Sequence, residues 1–155
     1  MSDHICVDSA RVRRPVNGLN DVLGQETVRG TCSTCHNAPN VGGHSVVRFF
    51  DMGTANEERC LPVYPLITLQ NKATGEKRKL CDLGRAGSGF PPSGHWADVG
   101  AFRAPPLRGL AARAPYFHDG QAKEISDVIE LYRERFDIDL SPRQVRDLGS
   151  FLEAL

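Results

Sequence analysis

Toward its end the chain alternates apolar and polar residues with a helical period. From Glu124 to Phe136, Ile125, Val128, Ile129, Tyr132 and Phe136 recur three or four positions apart and make one apolar stripe. A second stripe, Val145, Leu148, Leu152 and Leu155, follows a start signal of Ser141 as N-cap, Pro142 at the first helical position and Gln144 at the capping-box position. Two closing helices are predicted. Between residues 61 and 82 the pattern changes. Leu61 to Gln70 and Lys77 to Cys81 read as two strands of a β-hairpin turning near Thr74-Gly75. Residues 84–100 form a Gly/Pro/Ser loop containing the single tryptophan, Trp96, and 101–120 are extended and Pro-rich. Before residue 36, Asn20 to Arg29 offers only Val22, Leu23 and Val28, a weak helical signal. Residues 1–20 read as an arm or a cut end, and 21–155 as one domain with 61–82 as a hairpin insert. There is no internal repeat.

Composition narrows the class. A chain of 155 residues has the size of one domain, and 40% hydrophobic with 25% charged residues is globular rather than disordered. Nineteen basic residues balance nineteen acidic ones, so net charge argues for neither nucleic acid nor an anionic membrane. Arginines cluster locally at Arg11, Arg13 and Arg14, read as solvated, and at Arg103, Arg108 and Arg113. No apolar run is long enough to span a membrane as a helix.

The chemistry lies in Cys32-Ser-Thr-Cys-His36. Two thiols three positions apart reach the two vinyl-derived carbons on one edge of a haem, and the next residue sets its imidazole under the iron. This spacing points to one covalent haem c on Cys32 and Cys35, ligated by His36. A structural zinc site usually shows a second tight Cys or His pair, and none exists. A thioredoxin-type motif needs a βαβ context, which is also missing. Bacteria attach haem c outside the cytoplasm, so a periplasmic chain is expected. Met1-Ser-Asp-His-Ile-Cys6 lacks the segments of an export signal, which implies a replaced signal or a piece of a longer chain. Three cysteines remain: Cys6, Cys60 and Cys81. The hairpin register sets Cys81 across from about Leu66, so a Cys60–Cys81 bridge needs a bulge or a folded-back loop. The pairing stays open.

A haem pocket also needs apolar walls, anchors for propionates and a sixth iron ligand. Phe49, Phe50, Phe90, Phe102, Tyr116, Phe117 and Trp96 are wall candidates, each with an ordinary core role as its alternative. Arg103 and Arg108 flank Ala104-Pro-Pro-Leu107, a rigid backbone suited to holding an arginine against a propionate. Pro39 leaves a nearby carbonyl to accept the other imidazole N–H. For the sixth ligand, Met52 is the one internal methionine and equally a core filler. His118 suits a ligand, a distal acid/base or a propionate partner. Tyr132 lies on the apolar stripe and reads as core on pattern alone. His44 and His95 read as surface histidines.

Four segments together resemble the C-terminal haem domain of the bacterial dihaem cytochrome c peroxidases and MauG-like proteins. They are Cys32-Ser-Thr-Cys-His-Asn-Ala-Pro-Asn-Val-Gly-Gly43, Phe102-Arg-Ala-Pro-Pro-Leu-Arg-Gly-Leu110, Ala114-Pro-Tyr-Phe-His-Asp-Gly120 and the closing stretch from Leu140 to Leu155. In that family the helix after the His-Asp-Gly loop carries the sixth ligand, Met in peroxidases and Tyr in MauG-like members. The resemblance therefore makes Tyr132 the first candidate and Met52 the second. A tyrosinate favours ferric iron and a low potential, and His/Met ligation does the reverse. Three departures stand out: a single haem motif, which rules out a two-haem relay within this chain, a weak or absent N-terminal helix before Cys32, and the hairpin insert at 61–82.

The expected fold is mainly α, a cytochrome c-like haem domain with a small β-hairpin insertion and long loops. The expected function is one-electron transfer with a redox partner protein. The enzymatic rival places peroxide at the iron with His118 or Asp119 moving protons. A third reading is a non-haem zinc-binding module.

Overall fold

The two C-terminal stripes become helices in the computed structural model, which describes residues 32–36, 48–88 and 92–155. Helix α1 is the short turn Cys32–His36, α2 is Ile125–Phe136 and α3 is Pro142–Glu153. Glu124 and Asp127 form a reciprocal capping box at the start of α2, with Glu124 N donating to Asp127 Oδ2 at 3.0 Å. Ser141 and Gln144 do the same for α3, where Ser141 N donates to Gln144 Oε1 at 2.9 Å. Ile125 and Ile129 pack with Leu110, Tyr116, Ala122 and Leu140, and α3 covers this core with Val145, Leu148 and Leu152. On α2 the predicted stripe supplies the buried Ile125, Ile129 and Phe136, joined by Leu131 from outside it, and on α3 the stripe residues are half-buried.

Four short strands make two separate sheets. Strand β1 (Phe49–Phe50) pairs antiparallel with β4 (Phe102–Arg103), with Phe50 opposite Phe102. Strand β2 (Ile67–Gln70) pairs with β3 (Lys77–Leu80) in the predicted hairpin, with Ile67 opposite Leu80. That register carries Cys81 to Leu66, as the turn position implied. The turn is shaped by Asn71, whose side chain accepts from Ala73 N at 2.9 Å, and by Gly75 at φ 77. Strand β2 is shorter than the apolar run suggested: Leu61 to Leu66 form turns and irregular backbone.

The described residues do not form the expected mainly α, cytochrome c-like fold. Among the described residues the long helices are α2 and α3, of 12 residues each; the rest is the two small sheets, 3-10 turns and irregular backbone. The physical reason is visible in residues 53–120. Their prolines and glycines break the helical period, and specific cross-links hold them in place of apolar stripes.

Two of those links stand out. Cys60 and Cys81 form a disulfide with Cα atoms 5.9 Å apart. The folded-back loop it requires is built by Asn56 bridging to Leu80 on the far side of β3, Cys81 N donating to Ala55 O at 2.9 Å, and the 3-10 turn Glu57–Arg59. Arg78 reaches Asp51 at 2.8 Å and Val99 O at 2.7 Å, and its guanidinium and the carboxylate are both largely buried. A third apolar cluster, Ala55, Leu80 and Val99, lies beside this pair. The arm at 1–20, the weak segment 20–29, Cys6, Pro39, His44 and Phe90 lie outside the described residues.

Candidate haem site

All three motif residues sit on α1. Cys32 and Cys35 carry thiols, in contrast to the Cys60–Cys81 pair, and their spacing sets them on one side of a turn. His36 is buried, with 7% of its surface exposed. Its Nδ1 lies 3.0 Å from Pro105 O. A carbonyl only accepts, so Nδ1 carries the hydrogen and Nε2 holds the lone pair. Nε2 lies 3.4 Å from the Tyr132 hydroxyl, which donates to it. Burial lowers the His36 pKa against the opposing pull of the Pro105 bond, which favours the neutral form that a metal ligand needs.

Around this pair the walls are apolar. Phe50 and Phe136 are almost fully buried, and Cys35, Met52, Ala104, Tyr132 and Ile138 pack against them. Burial here pushes the Cys35 thiol up to about 11. It also raises the Tyr132 hydroxyl above the ordinary phenol range, with charge on Cys35 and Cys32 acting in the same direction. The donor set fits a covalently held haem c: two thiols on one turn, an imidazole whose Nδ1 is held by a carbonyl, and an apolar surround. Cys32 and Cys35 would hold the macrocycle and His36 Nε2 the iron.

The other candidates distribute unevenly. Tyr132 faces His36, and Met52 belongs to the same cluster. Arg103 and Arg108 are exposed on either side of Ala104-Pro-Pro-Leu107. That rigid segment supplies the His36 acceptor through Pro105 O, a role assigned to a carbonyl near Pro39 on sequence grounds. Its signal was the Pro-Pro backbone itself, whose carbonyls have no ladder to join. His118 stacks on Phe102 with ring centroids 4.0 Å apart, and its Nε2 lies 3.9 Å from Asp82. It belongs to the side of the molecule where Phe102 and Trp96 pack beside Leu80 and Val99. Among the described wall candidates only Phe50 belongs to this cluster. Tyr116 and Phe117 join the core beside α2, and Phe49 lies under Arg85. Phe136 is the wall residue that pattern reading assigned to core alone. His95 is exposed, as expected.

A polar cleft of about 470 Å³ is lined by Gly53, Asn56, Arg59, Arg133, Glu134 and Arg135 among others, and by none of the motif residues. Two of its cations are already paired, Arg59 with Glu134 and Arg133 with Glu130. Among the described residues no group of three or more His, Cys, Asp or Glu is placed to hold a metal ion, and no helix is long and apolar enough to cross a membrane.

No protein-family model matches the chain, and no solved structure matches it. Curated proteins do. Cytochrome c551 peroxidase of Pseudomonas aeruginosa is 31% identical over 125 residues, covering 80% of this chain and 30% of that protein. Cytochrome c551 peroxidase of Nitrosomonas europaea is 28% identical over 143 residues, covering 90% and 35%. Methylamine utilization protein MauG of Methylorubrum extorquens is 36% identical over 85 residues, covering 48% and 24%. The chain thus spans about a third of the length of the curated cytochrome peroxidases it matches. None of these names supports a zinc module. Motif, pocket and relatives agree: this chain resembles the dihaem cytochrome c peroxidase and MauG family.

Proposed function

We propose that the chain is a haem c domain over residues 21–155, with 61–82 as its insertion, that transfers single electrons to or from a redox partner protein in the periplasm. The observation that carries this reading is the part-buried contact between His36 Nε2 and the Tyr132 hydroxyl. One donor from α1 and one from α2 face each other at 3.4 Å beside an apolar cluster, which supports an iron held between these two elements once they part to admit it. When bound, haem supplies the one-electron redox chemistry. Pro105 O orients His36, Phe50 and Phe136 would shield the group from water, and Tyr132 would be its second candidate donor. Arg103 and Arg108 are the proposed propionate partners. The proposed partner is a protein and not nucleic acid, in keeping with the balanced charge.

The printed names of the relatives favour a second reading, peroxide reduction. There His118 would be the acid/base, and it would need to leave its stack on Phe102 to reach the pocket.

The test is expression in a periplasm equipped for haem attachment, followed by denaturation and extraction with acidified organic solvent. Haem retained by the polypeptide is expected, and it should be lost when Cys32 and Cys35 are both changed to serine. Six-coordinate low-spin ferric iron with negligible peroxide turnover supports electron transfer. A high-spin fraction with turnover abolished in His118→Ala supports the peroxidase. Haem that leaves with the solvent sinks both readings.

A further inference from the structure

The hairpin carries apolar side chains on its outside. Val63, Tyr64, Leu66 and Ile67 are the exposed large apolar residues among the described residues, with Val63 the most open at 78%, and all four fall in one short run. The run leads into an open edge. Among the described residues β2 pairs with β3 alone, so one side of its backbone has no strand to bond. Facing residues of an antiparallel pair share a side of the sheet. Leu80 is fully buried and Arg78 reaches Asp51, which puts Ile67 and Leu69 opposite them on the inner side. Thr68 and Gln70 lie on the outer side with Lys79 and Lys77. Edge strands left alone in water are commonly guarded by a charge. Strand β2 has none, and no residue from Leu61 to Asn71 is charged, although 25% of the chain is.

Whatever covers this edge must bring a strand and an uncharged surface, and a second copy of the chain brings both. We infer that the protein forms a two-fold dimer through the outer edge of β2. A two-fold axis at Thr68 lays the β2 of the second copy antiparallel to the first. It sets Thr68 against its counterpart, Ile67 of each copy against Leu69 of the other, and Leu66 against Gln70. One closed contact then pairs both open edges. The lysines do not oppose it. Lys77 and Lys79 lie on β3, at least three strand spacings or about 14 Å from their counterparts, beyond a screening length of about 8 Å. The two Lys72 lie at opposite ends of the paired strands, about 26 Å apart. An acidic protein is the weaker fit: it would meet no cation on β2, and Lys79 is already paired with Glu57. Two short strands make a small interface, so the dimer population rises with protein concentration.

Sedimentation of the full chain as purified, from about 1 μM to about 1 mM, tests the pairing. A monomer–dimer equilibrium is expected, with amide exchange at 67–70 slowing as the dimer fills and exchange in β3 unchanged. Thr68→Glu is the diagnostic variant. Within one copy its carboxylate faces Lys79 and leaves the fold intact; across the axis it faces a second carboxylate. It should weaken the dimer about tenfold at an unchanged melting temperature, and Thr68→Val should strengthen it. A chain that stays monomeric throughout the range overturns the dimer. So does a dimer that Thr68→Glu leaves as tight as before, or one whose 67–70 amides gain no protection. A monomer with those amides already protected at the lowest concentration overturns it too, and puts another part of the chain on the edge. None of these outcomes touches the haem reading, whose test is haem retention.

Discussion

The helical end and the hairpin end of this molecule are held together by different forces. Around α2 and α3, buried Ile125, Ile129, Tyr116 and Leu140 form a continuous apolar core, and each helix starts with its own capping box. The hairpin buries little: three of the four residues of β2 are exposed, as are Val63 and Leu66 beside it. A two-stranded hairpin is marginal by itself in water. This one is fastened by the Cys60–Cys81 disulfide, the Arg78–Asp51 pair and the 2.8 Å bond from Trp96 Nε1 to Glu76. Apolar periodicity builds one end and discrete cross-links build the other. The apolar cluster around Phe50 and Phe136 takes Tyr132 of α2 from the first and Met52, next to Asp51, from the second.

The sharpest way to break this contrast is Arg78→Ala. It leaves the Asp51 carboxylate buried without its cation and should cost about 3–5 kcal/mol, read by denaturant unfolding. Arg78→Met combined with Asp51→Leu should recover much of that loss. If Arg78→Ala costs less than about 1 kcal/mol, the pair is not what holds the hairpin end. Next comes Ile129→Ala, expected to cost about 2–5 kcal/mol through the cavity left between α2 and α3. Its hydrogen-exchange signature should spread through both helices and spare β2 and β3. Replacing Cys60 and Cys81 together by serine should cost about 2–4 kcal/mol under oxidising conditions and nothing further when a reductant is added. A reductant effect surviving in that double variant would point to another thiol. Smallest is Ser141→Ala, about 1 kcal/mol from the lost N-cap of α3, visible as faster amide exchange in its first turn.

The same contrast explains what was legible in the sequence. Both helices and the Ser141–Gln144 box follow from local spacing, and the hairpin register followed from its turn residues. The motif residues were legible because thiol and imidazole spacing is itself chemistry. The disulfide was not, because it depends on Asn56 bridging to Leu80, a contact between segments with no shared pattern. The helix content was overestimated for a related reason: the resemblance carries a family's fold expectation, while residues 53–120 fold by cross-links that periodicity does not register. His118 was attractive as a distal group because of its Gly-flanked loop. Its position is set by the stack on Phe102, whose strand pairs with β1, and nothing near His118 in the chain encodes that pairing. Pro105 was singled out for rigidity, but its partner His36 lies far away in sequence.

That distance bears on how the protein is made. His36 is 69 positions from the carbonyl that orients it and 96 from the hydroxyl that faces it. During synthesis the attachment motif emerges long before either wall of its pocket. A chain interrupted ahead of Pro105 still has both thiols and the imidazole, but nothing to choose the tautomer. One interrupted between Pro105 and Tyr132 has the tautomer without the lid. Only a nascent chain translated through α2 holds every part, so the two thiols and the imidazole are made well before the groups that face them.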